Sequence, residues 1–140
     1  MNRTIKFRGK RIDNGEWVYG SLLRGENQCV IVTLRGDSVN VHECHEVDPA
    51  TVGQFTGLLD KNGKEIYESD IITVNGQYPR VVLWDKMCWA LMPTEYYHDK
   101  MFWVMNLQHP GPDWWGLFSN EFEVIGNIYD NPELLNEKQL

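Results

Sequence analysis

The run His42-Glu43-Cys44-His45 carries the donor atoms that zinc prefers. Its spacing works against that use. On a strand, His42 and Cys44 share one face while His45 points away, and the run is one residue short of the His-Glu-x-x-His pattern that functions on a helix. Gly57 and Gly63-Lys64 resemble a phosphate-binding loop only faintly, because five residues intervene where four are needed and Glu65 replaces the Mg²⁺-binding Ser or Thr. Asp60, Asn62 and Gly63 are a fragment of a calcium loop without its other ligands, and a turn accounts for them. Glu121 and Glu123 would share a strand face as acid–base pairs do, but among 20 acidic residues such pairs arise by chance. No nucleophile elbow or dinucleotide fingerprint is present. No catalytic, cofactor-binding or metal residue is assigned, and the expectation is a protein that is not an enzyme.

Two features suit binding rather than chemistry. Arg3, Lys6, Arg8, Lys10 and Arg11 all precede the first acidic residue, Asp13, which leaves the other eight of thirteen basic residues against 20 acidic ones. On an extended segment Lys6, Arg8 and Lys10 fall on one face, a candidate anion site for nucleic acid or an acidic partner. The competing reading is that they guard an edge strand, and it is preferred because a net charge of −7 repels a polyanion. The loop His109-Pro110-Gly111-Pro112-Asp113-Trp114-Trp115-Gly116 sets two indoles side by side. Trp114 and Trp115 are candidate partner contacts or, preferably, a plug over the end of a core. Trp84, Trp89 and Trp103 fall in predicted strands and read as core or subunit interface.

The positioning elements are strands. A meander over 3–12, 16–24, 28–34 and 38–46 is punctuated by Asn14-Gly15, Gly25-Glu26-Asn27 and Gly36-Asp37. Val47-Asp48-Pro49 marks a boundary, giving residues 1–50 and 51–140 as domains. Beyond it, Asp60-Lys61-Asn62-Gly63 predicts a type I′ hairpin returning as Glu65-Ile66-Tyr67. Next come Ile71–Val74, a turn at Asn75-Gly76, and a hairpin of Arg80–Trp84 with Cys88–Met92 around Asp85-Lys86. Met101–Leu107 and Phe122–Tyr129 complete the strands. Asn131-Pro132-Glu133 opens a short terminal helix. Cys29, Cys44 and Cys88, odd in number and without CxxC spacing, read as buried or half-buried reduced thiols. With no apolar run of membrane-span length and no signal-peptide core, a cytoplasmic protein without membrane contact is expected.

The blocks Gly53–Ile72, Phe122–Leu134 and the opening Ile5-Lys6-Phe7-Arg8 with Gly15–Gly20 closely resemble the YopX-like family of phage and prophage proteins. The resemblance runs nearly end to end. It implies a mainly β protein with an SH3-like small barrel in its C-terminal part, often oligomeric and of unknown molecular function, and it brings no catalytic residues. Ser69 stands where that family usually has Gly before Asp. A corner needing positive φ would strain Ser there by roughly 1 kcal/mol.

Three functional classes follow. The preferred one is a prophage accessory protein that binds a phage or host protein or assembles with itself. The second is a nucleic-acid-associated module using the basic first strand. The third is a metal-assisted enzyme built on His42, Cys44 and His45.

Overall fold

The computed structural model describes residues 3–99, 101, 103–111, 114–115 and 118–135. The chain is mainly β and divides into two compact units, Met1–Gly57 and Leu58–Leu140. No described helix is long and apolar enough to cross a membrane.

In the first unit, β1 (Phe7–Lys10), β2 (Trp17–Arg24), β3 (Cys29–Leu34) and β4 (His42–Val47) form the expected antiparallel meander. β5 (Gly53–Leu59) then returns beside β1, pairing Phe7 with Gln54. β1 therefore lies between β2 and β5, and it is not the edge strand that its lysines and arginines suggested. The sheet also curls until Arg11 bridges Val47 and the Ile12 N–H donates to the Glu46 carbonyl at 3.1 Å, which covers the end of β4. That curl encloses Cys29, Ile31 and Val47, with Phe7, Val18 and Leu22 packed around them. Its tightness shows at Gly20, where an added Cβ would collide with the Val32 carbonyl oxygen.

Strand extents here are shorter than the apolar pattern suggests. Residues 38–41 are a turn, because the Ser38 hydroxyl accepts from Asn40 N–H and the Ser38 carbonyl from Val41 N–H. Such local side-chain bonds compete with a ladder.

In the second unit, β6 (Glu65–Tyr67), β7 (Asp70–Val74), β8 (Gln77–Asp85), β9 (Cys88–Pro93) and β10 (Phe122–Asn127) supply the strands, with β7–β10 in the order β10-β7-β8-β9. Ile66, Ile72, Val82, Leu91 and Phe122 form one core, while Ile71, Val81 and Leu135 form a second. Asn75 and Gly76, with φ of 53° and 74°, make the two-residue turn that joins Val74 to Gln77. Lys86 and Met87, with φ of 48° and 69°, do the same between Asp85 and Cys88 without a glycine.

Two expected elements differ. The Asp60 hairpin is not type I′: Asn62 has no positive φ and Gly63 alone does, at 80°. The Asp60 carboxylate decides this by accepting from the N–H groups of Asn62 and Lys64, which locks a turn whose last residue, Gly63, sits left-handed. Met101–Leu107 is not a strand. Trp103–Asn106 is a single helical turn, α1, closed by a Leu107 N–H to Trp103 carbonyl bond of 2.8 Å, and the Trp103 indole N–H donates to the Tyr97 carbonyl. Phe102 lies outside the described residues. Among the described residues that follow α1, Gln108 is bridged to Leu91 and continues the sheet.

The chain's last described element is the expected short helix, a 3₁₀ turn at Pro132–Leu135. Asn131 serves it by its backbone, which accepts from Leu134, while its side-chain oxygen turns back to the Asn127 N–H.

Candidate functional site

Two basic side chains of β1 lie against an indole. Arg8 is 5% exposed, and its guanidinium lies 4.5 Å from the centre of the Trp17 ring. The Lys10 ammonium lies 5.5 Å from the same ring. The pairing of β1 with β2, Lys10 opposite Trp17 and Arg8 opposite Tyr19, brings these side chains onto the indole. At that burial the Arg8 charge is held against the ring rather than presented to solvent. Lys6 extends the strand at its other end, where its carbonyl accepts from the Phe55 N–H.

On β4 the alternation separates the zinc-type donors. Ile31, buried in the core, pairs with His45, and Val32 pairs with Cys44, so His45 is half-buried and Cys44 exposed. Cys44, which the sequence reads as a buried or half-buried thiol, is thus turned outward by the register. The His45 ring bonds the Thr33 hydroxyl at 3.3 Å and lies 3.5 Å from Glu43, while His42 contacts the Val39 carbonyl on its own. No group of three His, Cys, Asp or Glu among the described residues could hold a metal.

Trp114 and Trp115 are both half-buried and pack on the core that contains Phe122. Their rings meet edge to face at 5.5 Å and lie 5.7 and 5.8 Å from the Phe122 ring. Residues 114 and 115 are helical rather than extended, and so both rings reach the same core. Pro112, Asp113 and Gly116 of that loop lie outside the described residues.

Three further features stand out, of which the sequence offered only the first, as core or subunit interface. The first is the tip of the β8–β9 hairpin. Trp84 and Trp89 pair across the strands edge to face at 5.0 Å, and Trp84 remains 53% exposed, contrary to a core position. Met87 beside it is 87% exposed. The second is a polar pair, His109 Nε2 to Asp85 Oδ2 at 2.7 Å.

The third is a cleft of about 530 Å³ between the start of β8, the end of β9 and the segment around α1. Val74 pairs with Gln77, but Ile72 pairs with Arg80, so β8 carries an extra residue there and bulges. Tyr78 takes the left-handed position of the bulge with φ of 55°, where glycine is usual; such a conformation costs a side chain about 1–2 kcal/mol. Bulges re-aim side chains, and this one sends Tyr78 and Arg80 into the cleft lining. Arg80 is half-buried, with its guanidinium 5.7 Å from the Tyr78 ring and no hydrogen bond or ion pair among the described residues. Burial lowers its pKa from the ordinary arginine value, and Tyr78 partly offsets that. Thr94, Tyr96, Asn106 and Gln108 complete the polar wall. The only sequence signal was Tyr-Pro after a turn, since proline in a strand marks an edge or a bulge.

The residues of the family-like blocks hold turns and corners. Asp60 Oδ2 accepts from the Val124 N–H as well, tying the hairpin to β10. Burial raises its pKa, but the N–H groups of Val124, Lys64 and Asn62 and the Lys64 charge outweigh burial and leave it below 3.8. Asp70, almost fully buried, accepts from the Tyr67 N–H, and the Asn127 side chain accepts from the N–H groups of Tyr129 and Asp130.

A family model described as "YopX protein" matches residues 6–136. The crystal structure of protein EF1440 from Enterococcus faecalis is similar, with a TM-score of 0.54 and 21% identity over 96% of this chain and 99% of that one, a likeness of fold. No curated protein matches.

Proposed function

The chain belongs to the YopX protein family, and from that premise we propose that it is a prophage-encoded, cytoplasmic accessory protein that binds protein, first of all a second copy of itself, and performs no catalysis. The SH3-like small barrel that the resemblance implies for the C-terminal part belongs to the same reading. The observation that carries it is the β8–β9 tip, where Trp84 and Met87 are exposed beside Trp89. Trp and Met are enriched in protein interfaces, and a large exposed indole held by an edge-to-face neighbour loses little freedom on docking. A nucleic-acid role draws less support, since Arg8 is buried against Trp17. A metal-assisted role lacks a shared face for His42, Cys44 and His45.

Native mass spectrometry tests the reading. The untagged protein is expected at a multiple of 16.4 kDa, and Trp84→Ser should return it to a single subunit while leaving its melting temperature within a few degrees. A parent protein that is already monomeric at micromolar concentration, or a Trp84→Ser variant that stays multimeric, counts against it.

A further inference from the structure

We propose that the Arg80 cleft is a binding site for a flat aromatic ring carrying a single phosphate, of the nucleoside monophosphate class. This inference is independent of self-association through the β8–β9 tip.

The chemistry begins with Arg80. A guanidinium partly withdrawn from water is ordinarily matched by a carboxylate or a set of acceptors, and among the described residues none forms a hydrogen bond or ion pair with it. Its planar fork of donors suits a phosphate, which can accept two parallel N–H bonds. Glu95 also lines the cleft, and it is exposed. A carboxylate there disfavours the triphosphate and leaves a singly phosphorylated ligand as the better match.

The ring follows from the tyrosines. Tyr78 is 67% exposed, an unusual position for a side chain whose backbone is held left-handed by the bulge. The guanidinium lies over one face of this ring at 5.7 Å, so a flat group packed on the ring's open face would hold its phosphate at the rim nearest Arg80. Gln108 lines the same cleft, and its carboxamide offers the donor and acceptor that the edge of a base requires. Gln108 is fixed there by the paired backbone bonds with Leu91, at 2.8 and 2.9 Å. The cleft volume lies in the usual range for small-ligand sites.

Protein-detected NMR on the isotopically labelled full chain tests the proposal, with AMP, UMP, adenosine, inorganic phosphate and benzoate as probes at low salt. Saturable shifts at Tyr78, Arg80 and Gln108 are expected with AMP or UMP. Adenosine, phosphate and benzoate should each bind at least about tenfold more weakly. Arg80→Gln should weaken the nucleotide by about tenfold or more, and Arg80→Lys, which keeps the charge but not the fork, by less. Tyr78→Ala should weaken nucleotide and adenosine alike while sparing phosphate. Thermal melting of each variant separates lost binding from lost folding, and variants that still melt cooperatively are the ones compared. No saturation by either nucleotide, benzoate binding as tightly as AMP, or unchanged affinity in a folded Arg80→Gln protein would overturn the assignment.

Discussion

Replacing Ser69 by glycine should make the protein more stable. Ser69 has φ of 75°, and its backbone is held from both sides: its N–H donates to the Val82 carbonyl at 2.7 Å and its carbonyl accepts from the Ile128 N–H at 3.1 Å. Relaxation out of the left-handed region would cost both bonds. The Cβ in that region costs about 1–2 kcal/mol, and glycine gives back about 0.5–1 kcal/mol through its greater freedom in the unfolded chain. The hydroxyl makes no hydrogen bond among the described residues, so its removal subtracts little. The net gain is about 0.5–1 kcal/mol, which for a unit the size of Leu58–Leu140 raises Tm by about 2–8 °C. Ser69→Ala keeps both the Cβ and the φ, and its stability should stay within about 0.5 kcal/mol of the parent. Urea unfolding and calorimetry on the three proteins read the difference. A glycine variant at or below the parent, or an alanine variant that gains as much as glycine, would refute the argument from backbone strain.

Asp60→Asn should destabilise the second unit by about 2–3 kcal/mol, because one amide oxygen cannot accept what two carboxylate oxygens accept from Asn62, Lys64 and Val124. The folded pKa of Asp60 lies below 3.8. Its contribution is therefore complete above the unfolded value and is lost as pH falls through the folded one, so acid unfolding curves should lose that part of their slope in the Asn variant. Gly20→Ala should cost the first unit at least about 2 kcal/mol, since the added methyl meets the Val32 carbonyl and backbone cannot move aside as a side chain can. Limited proteolysis should then cut within residues 1–57 first; cuts confined to the second unit would contradict the placement.

Local chemistry made much of the fold legible. Asn75-Gly76 needed only its two residues to specify a turn, and the β-branched run after Asp70 needed only its composition to be a strand. Pro132 at the start of the terminal helix is likewise a property of one residue and its neighbours. The Asp60 hairpin shows where that stops. Asn-Gly alone favours type I′, yet a side chain two residues upstream captured the backbone N–H groups and chose another turn. Trp103 went the same way, because its indole found the Tyr97 carbonyl and the apolar run around it closed into a helical turn.

The sites were less legible because exposure is not a local property. The charge row of β1 was visible in the sequence, but β5 returning beside it and Trp17 across from it decided that Arg8 would be covered. Trp114 and Trp115 were visible as a pair, and the helical backbone at 114–115 decided that both would reach Phe122. Of the cleft only the Tyr78-Pro79 bulge signal was visible, because Tyr78, Arg80, Thr94 and Gln108 come from three separate segments and no spacing relates them. The sequence by itself determined the strands, most turns and the family, since these follow from backbone preference and alternation over a few residues. Only the tertiary structure decided which side chains met, because strand register and the bulge at Tyr78 depend on partners distant in the chain.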